Sequence, residues 1–230
     1  MKLERIYKIT DSMCYPNFEI RPSAILDLFQ SIAGEHANIL NIGHFDLIKK
    51  DLTWVVMRIK YELYRPIKHY DEIKILTWPK AKNRLEYDRD YKLFDNRSGE
   101  LIGIGASKWI VININTRRID RNGVDYPSNT ISEANYSSFE KIDYFDLSFN
   151  EVDTFIVRHT EIDAVGHMNN TKYADLINFA TTPKYFEINY IHELHLGDNV
   201  SLKKASDSGY NYYLGKMLDN VSFVMKVKED

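Results

Sequence analysis

The sequence is poor in cysteine and has no long apolar run. Among its 230 residues only Cys14 is a cysteine, so no internal disulfide can form and a reducing compartment is expected. A lone cysteine is usually a small packed hydrophobic residue, with a nucleophilic thiol as the alternative. No window approaches the roughly 20 apolar residues of a membrane helix, and the charged N-terminus does not resemble a signal peptide. Together these features predict a cytoplasmic protein without a membrane span.

An excess of one charge sign is also missing. The formal net charge is -3, which gives no bulk reason to expect nucleic-acid binding. The hydrophobic share of 44% is ordinary for a globular protein, and the length fits one large domain or two small ones. What the chain does have is 16 tyrosines and 11 phenylalanines, which favour strands over a helical bundle.

The first half of the chain reads as one helix followed by strands. Residues 22–41 carry an apolar helical face, with Pro22 suited to the helix start and Gly43 to its end. This face comprises Ile25, Leu28, Phe29, Ile32, His36 and Leu40. Alternating segments rich in aromatic and β-branched residues then predict strands at 53–63, 71–79, 85–95 and 100–114, with a hairpin turn at 95–100.

The second half repeats this order. Residues 169–180 predict an amphipathic helix, capped by Asn169 or Asn170 and ended by Pro183. Its apolar face would hold Tyr173, Leu176, Ile177 and Ala180. Strand-like segments follow at 186–206 and 212–228, and residues 58–76 resemble 187–202 in the order of strand, polar excursion, aspartate and strand. We interpret the two halves as an internal duplication.

The stretch 122–151 lacks a clear period and suits a long connector, although Tyr136, Phe139, Tyr144 and Phe145 are costly to leave in water. A helix followed by an antiparallel sheet, twice over, predicts an α+β fold. Two helix-wrapped sheets would pair at their edges into one long sheet. We expect an N-terminal domain at residues 1–125, a connector at 126–150 and a C-terminal domain at 151–230.

Several motifs resemble the acyl-ACP thioesterases of the plant and bacterial fatty-acid-synthesis type, which have a double (tandem) hotdog fold. The likeness rests on DLTWVVMRIKYELYRP and GASKWIVININTRRIDR in the first half, and on DAVGHMNNTKYADLINFA and NYIHEL in the second. The family motif reads Asp-x-Asn-x-His-Val-Asn-Asn-x-x-Tyr, and a Glu-Cys pair follows in plant members. The matching residues are Asp163, His167, Asn169, Asn170, Tyr173 and Glu193.

Two positions depart from the family pattern. Val165 stands where the family has asparagine, which puts the role of that amide in doubt, and Leu194 stands in place of the plant cysteine. Leu194 removes a cysteine mechanism. The resemblance implies hydrolysis of fatty acyl-ACP to free fatty acid, with an acyl carrier protein as partner and no cofactor. Acyl-CoA hydrolysis, a catalytically weak acyl-binding protein and, among hotdog proteins, a dehydratase are the alternatives, and a homodimer stays open.

Thioester hydrolysis needs a base near the attacking water and donors near the carbonyl oxygen. We expect Glu193 or His167 to act as the base, with Asp163 fixing the water or the histidine, although spacing does not decide which of the three removes the proton. Backbone N–H groups near His167 and Asn169, at a helix start, would polarise the carbonyl, and Gly166 would let the backbone approach a substrate closely. Each residue also has a simpler role open to it: the asparagines cap a helix, Asp163 caps a turn, and His167 bonds structurally.

Three further expectations concern the surroundings of this site. His192 and His195 are three apart on an expected strand and would face opposite ways, so no metal site is expected. His195 could tune Glu193, but a solvent-facing role is favoured. Because the family holds the acyl chain in its first half, Ile32, His36, Trp54 and Met57 are candidate pocket residues, but a plain core role is favoured for each one singly. The basic segment 116–121 and the pair Lys203–Lys204 are candidate docking sites for an acidic carrier protein.

Overall fold

The computed structural model describes residues 1–81, 83–125 and 133–229. The first half contains β1 (Leu3–Lys8), α1 (Pro22–Ile39), α2 (His44–Ile48), β2 (Leu52–Leu63), β3 (Glu72–Pro79), β4 (Tyr87–Asp95) and β5 (Leu101–Asn113). The second contains β6 (Asn150–Ile156), β7 (Tyr185–Tyr190), β8 (Asn199–Asp207), β9 (Tyr210–Met217) and β10 (Asn220–Lys228). Short 3-10 turns lie at Asp11–Met13, His159–Glu161 and Asn170–Leu176.

The strands of the described residues form one antiparallel sheet in the order β1-β3-β4-β5-β2-β7-β10-β9-β8-β6. Moving inward from either edge, one meets the first, third, fourth, fifth and second strand of that half. The two halves therefore share one topology, as the predicted duplication requires. They join where β2 pairs with β7, in a register that sets Lys60 opposite Glu187 and Tyr61 opposite Phe186. The tandem hotdog with paired edges is confirmed.

Helix α1 packs against the strands of the first half. Its buried face includes Ile25, Phe29 and Ile32, and the Phe29 ring stacks on Tyr91 of β4 at 4.1 Å between centroids. The helix ends at Ile39 and not at residue 41. Gly43 caps the start of α2 instead of ending α1, and its N–H donates a hydrogen bond to the Asp46 carboxylate at 3.2 Å. Of the described helices, neither combines the length and the apolar character that crossing a membrane requires.

The predicted helix at 169–180 is wrong in length and type. A seven-residue 3-10 turn, Asn170–Leu176, takes its place, and the chain then runs irregularly to β7. The helix stops early in part because backbone groups of residues 180–182 form hydrogen bonds with the first half of the chain. Ala180 O accepts from the Asn17 side chain, and Thr182 N donates to the Glu19 carboxylate at 3.0 Å. These bonds and the β-branched Thr181–Thr182 pair compete with helix. Consequently Ala180 is exposed, and Phe179 is buried in its place.

The described part of the connector crosses the seam between the halves. Phe139 is buried and its carbonyl accepts from Arg58 at 2.9 Å, while Lys60 lies 3.8 Å from the centre of the Tyr136 ring. Tyr144 packs beside Ala205 and Tyr212 of the second half. These three aromatics pack as expected, whereas Phe145 is 82% exposed, so that expectation was wrong for it. Residues 126–132 of the predicted connector lie outside the described ranges.

Candidate active site

Residues 161–170 form a tight loop held together by Asp163. One carboxylate oxygen, Oδ1, accepts from the N–H of Val165 at 2.9 Å and from that of His167 at 3.2 Å. The Asp163 N–H in turn donates to the His167 carbonyl at 2.8 Å. Gly166 permits the turn because its φ is +88°, which side-chain-bearing residues rarely adopt. Asp163 therefore shapes the loop that presents His167, and one of its two oxygens is committed to that task.

The far end of the loop is fixed by Asn169. Its side-chain oxygen accepts from the N–H and from the hydroxyl of Thr171, at 3.0 Å each, so the predicted capping role is confirmed. The Asn169 N–H donates to Glu161 O at 2.8 Å. Backbone N–H groups near His167 and Asn169 were expected to polarise a carbonyl, and those of His167, Met168 and Asn169 are occupied within the protein. The short 3-10 turn also lacks the aligned peptides of the long helix that was expected there.

Glu193 does not lie on a strand, contrary to expectation. β7 ends at Tyr190, because the N–H groups of Ile191 and His192 both turn to Ser222 O, at 2.9 and 3.0 Å. The alternation that placed His192 and His195 on opposite faces therefore does not apply. Glu193 accepts a hydrogen bond from Arg117, and one of its oxygens lies 3.4 Å from His167 Nε2. A carboxylate and an imidazole thus meet on two loops that are 26 positions apart in the sequence.

Arg117 was not predicted to belong to this site. It comes from the first half, in the turn after β5, where the segment 116–121 was considered only as a docking surface. Its φ of +58° is unusual for a side-chain-bearing residue, and its N–H donates to Asn113 O at 2.9 Å. Only the pairing of the two half-sheets brings Arg117 to Glu193. No local pattern in the sequence carries that information.

A cleft of about 780 Å³ opens beside these residues. One end is lined by polar groups from both halves: Asp163, His167, Asn170, Glu193 and Arg117, together with the exposed Val165. The wall continues along the first half over mainly apolar side chains, among them Ile48, Trp54, Val55, Met57, Ile110 and Ile114. Trp54 and Met57 therefore line a cavity as the sequence suggested. Gly166 and Asn169 support the loop but do not line the cleft.

A second cavity of about 220 Å³ lies under α1 and shares His44, Thr53 and Trp54 with the cleft. Ile32 and His36 line neither cavity, which agrees with the core role favoured for each of them from the sequence. Ile32 is fully buried core. Burial and the neighbouring Arg89 guanidinium lower the pKa of His36 to about 4, which leaves the ring neutral. Its Nδ1 then accepts from Arg89 at 3.0 Å, so His36 holds a residue that does line the second cavity.

Cys14 is an unsuitable nucleophile in this arrangement. Its side chain is partly buried against the main core, outside both cavities, and burial raises the pKa of the thiol. A raised pKa leaves less of the reactive thiolate near neutral pH. The packed, hydrophobic role favoured from the sequence agrees with this position. The groups that face the cleft are instead a carboxylate, an imidazole, an amide and a guanidinium, which suits acid–base chemistry on a bound water.

Two family models match the chain: the acyl-ACP thioesterase N-terminal domain over residues 1–127 and the acyl-ACP thioesterase C-terminal domain over 146–222. An oleoyl-acyl carrier protein thioesterase of Coriandrum sativum is 28% identical in an alignment 188 residues long, which covers 74% of this chain and 50% of the relative. One from Arabidopsis thaliana is 29% identical in an alignment 169 residues long, which covers 65% of this chain and 46% of the relative. The chain thus spans about half the length of these relatives.

Solved structures agree on the fold. An acyl-ACP thioesterase from Bacteroides thetaiotaomicron superposes with a TM-score of 0.84 at 24% identity, over 99% of this chain and 97% of the other. The 12:0-ACP thioesterase of Umbellularia californica gives 0.77 at 18% identity, over 99% and 96%. At such identities the structural likeness speaks for the double hotdog alone, whereas the family models cover both halves. The chain belongs to the acyl-ACP thioesterase family.

Proposed function

We propose that this protein hydrolyses fatty acyl thioesters carried on an acyl carrier protein and releases the free fatty acid. The observation that carries the proposal is the His167–Glu193 pair, 3.4 Å apart, at the polar end of a cleft whose remaining wall is mostly apolar. The thioester group of the substrate would lie at the polar end, and its acyl chain would lie along the apolar wall. Membership of the acyl-ACP thioesterase family supports this substrate class.

The geometry favours Glu193 as the general base. Its side chain is 38% exposed, so water can reach it, whereas Asp163 already accepts two backbone hydrogen bonds with one oxygen. Glu193 takes a proton from the water as the water oxygen attacks the thioester carbon. The C–S bond then breaks, and the proton passes from Glu193 to the departing thiolate sulfur. His167 orients the water, and Arg117 orients the Glu193 carboxylate.

Charge on the carbonyl oxygen needs a donor in the cleft. Asn170 lines the polar end, and its backbone is fixed because its carbonyl accepts from the Tyr190 hydroxyl at 2.7 Å. We assign that role to the Asn170 side-chain amide, in place of the backbone groups of His167 and Asn169. Gly166 and Asn169 act by holding the loop. Residues 151–230 then supply the base, and residues 1–125 supply the acyl-chain wall and Arg117, with 126–150 as connector.

Val165 permits a direct test of the departure from the family motif. The residue is 61% exposed at the cleft, and only its backbone N–H serves the loop. Val165→Asn is therefore expected to leave stability within about 0.5 kcal/mol and to keep or raise the hydrolysis rate. Steady-state kinetics and thermal unfolding measure both quantities. Loss of activity in a folded variant would mean that the cleft is built around valine.

An acidic carrier protein would dock on a basic surface at the cleft mouth. Lys49, Lys50, Arg117 and Arg118 are exposed there, on two segments joined by a bond from Ile114 N to Asp51 O at 2.9 Å. Ile48 and Ile114, which line the cleft, adjoin them. Lys203 and Lys204 lie elsewhere, on β8 opposite Glu151 and Asn150 of the edge strand β6. The segment 116–121 is thus the better placed of the two candidate docking sites.

Reversing the charge of the proposed docking surface distinguishes carrier-protein binding from the chemical step. The double substitution Lys50→Glu/Arg118→Glu is expected to raise KM for acyl-ACP about tenfold and to leave kcat and acyl-CoA turnover unchanged. The difference should shrink in high salt, because exposed charges are screened. The matched control, Lys203→Glu/Lys204→Glu on β8, should behave like the wild type. An equal rise in both double variants would remove the proposed docking surface.

The function itself is tested by incubating the purified protein with acyl-ACPs of graded chain length and with the matching acyl-CoAs. Release of free fatty acid is expected, faster from acyl-ACP. Faster turnover of acyl-CoA would favour the rival thioesterase, and retention of ligand without hydrolysis would favour an acyl-binding protein. The reducing cytoplasm expected from the single Cys14 belongs to the same proposal, as does a homodimer, which sedimentation of the purified protein would test.

A further inference from the structure

Three metal-binding side chains converge beside the proposed catalytic pair. His167, Glu193 and His195 each offer a donor atom, and these atoms all lie within 4.8 Å of one another. The rings of His167 and His195 stand nearly perpendicular, at 87°, with centroids 5.0 Å apart. His195 has no part in the hydrolytic mechanism proposed above. The proposed hydrolysis therefore does not explain why His195 lies beside His167 and Glu193.

The backbone brings these donors together. The loop of His167 and the loop of Glu193 are tied by the bond from Met168 N to Leu194 O, at 2.7 Å, directly between the donor residues. The turn after Glu193 is closed by the Asp198 carboxylate, which accepts from His195 N at 2.8 Å. The cluster thus sits on two mutually anchored loops. This makes it less dependent on chance side-chain placement than a group of surface residues on separate mobile segments.

We propose that His167, Glu193 and His195 form a binding site for Zn²⁺, and that zinc bound there inhibits the enzyme. Tetrahedral zinc with ligands at 2.0–2.2 Å requires donor atoms about 3.3 Å apart, and His167 Nε2 and Glu193 Oε2 are 3.4 Å apart. The His195 side chain is 56% exposed and can rotate to complete the set. Water would take the fourth position. Two imidazoles and one carboxylate favour zinc over magnesium or calcium, which prefer oxygen ligands.

Zinc is expected to inhibit because two of its proposed ligands, Glu193 and His167, are also the proposed catalytic pair. A zinc ion on Glu193 occupies the carboxylate that the proposed hydrolysis uses as its base, and it fixes His167 as a ligand. It also displaces Arg117, whose ion pair with Glu193 joins two side chains that are 47% and 38% exposed and is therefore weak. The inhibitory part of the inference rests on the proposed function, whereas the binding part does not.

Binding is tested first, on protein free of any affinity tag. Equilibrium dialysis against zinc chloride, with metal analysis, should find one zinc per chain, and competition with a chromophoric chelator gives the affinity. His195→Gln should weaken binding about tenfold or more, since even loss of an outer partner of a ligand costs that much. His192→Gln is the matched control, because His192 lines the same cleft outside the cluster. Absence of bound zinc, or equal affinity in His195→Gln, overturns the site.

Removing the Arg117 guanidinium, which competes with zinc for Glu193, should change the zinc affinity in the opposite direction. Arg117→Gln should bind zinc more tightly than the wild type, because Glu193 is then freed from its ion pair. Weaker binding in that variant would contradict Glu193 as a ligand. The same chelator competition measures it, so the result is independent of hydrolysis.

Inhibition is tested on the active enzyme. Zinc should suppress fatty acid release by the wild type, EDTA should restore it, and His195→Gln should keep the basal rate and resist zinc. Equal inhibition of wild type and His195→Gln would overturn the link between this site and inhibition. If the wild type binds zinc but hydrolyses no thioester, the proposed function fails while the metal site stands, so the two failures are distinguishable.

Discussion

Replacing Glu193 by glutamine is expected to lower kcat/KM for acyl-ACP hydrolysis about a hundredfold or more, because the amide cannot accept the proton of the attacking water. Glutamine preserves the size of the side chain and can still contact Arg117, so the fold should persist. Free fatty acid release under steady-state conditions measures the loss. Thermal unfolding of the same preparation shows whether the protein is intact.

His167 offers an internal check on this result. If Glu193 and His167 act as one unit, His167→Gln should show a loss of similar size, and the double variant should be little worse than either single variant. His192→Gln, in the same cleft, should retain its rate. Wild-type rates in both Glu193→Gln and His167→Gln would refute the proposed catalytic pair.

Asp163→Ala is also expected to lower the rate about a hundredfold, but for a different reason. Alanine removes the oxygen that accepts from the N–H groups of Val165 and His167, so the loop that presents His167 loses its internal bonds. A displacement of about 1 Å in a catalytic group can cost a factor of this size. Asp163→Asn keeps an acceptor oxygen in the same place, so its rate should stay within a few-fold of the wild type.

The two Asp163 variants also help to decide which residue removes the proton from the attacking water. The sequence alone leaves Glu193, His167 and Asp163 open for that role. If Asp163→Asn is as inactive as Glu193→Gln, then Asp163 acts chemically and the assignment of Glu193 alone is wrong. Hydrogen exchange of the Val165 and His167 amides should be faster in Asp163→Ala than in Asp163→Asn, which reports on the loop independently of turnover.

The fold was largely predictable because its main signals are local and periodic. The segments 53–63, 71–79, 85–95 and 100–114 alternate clearly, and β2 to β5 match them within a few residues. The repeated order of elements predicted the paired halves, and the register of β2 with β7 confirms it. The failure at 169–180 has a tertiary cause: the first half satisfies the polar groups of 180–182, and no pattern within the segment reveals that partner.

The candidate site was predictable only as a set of residues. The motif singled out Asp163, His167 and Glu193, and the structure places all three at one cleft. Their environment depends on packing across the two halves, which explains why Arg117 was missed and why the sequence left Ile32 and His36 between a pocket role and a core role. The backbone donors expected near His167 and Asn169 are limited by local geometry: a tight loop consumes its own N–H groups, so the amides of His167 and Asn169 are occupied.

The junction of β2 with β7 determines how the proposed active centre behaves when the protein is diluted. Arg117 comes from one side of that junction and Glu193 from the other. Were the two halves separate chains, their meeting would depend on protein concentration, and activity per molecule would fall as the solution is diluted. A covalent link holds each half near the other at an effective concentration that dilution does not alter. This centre should thus stay assembled even when the protein is scarce.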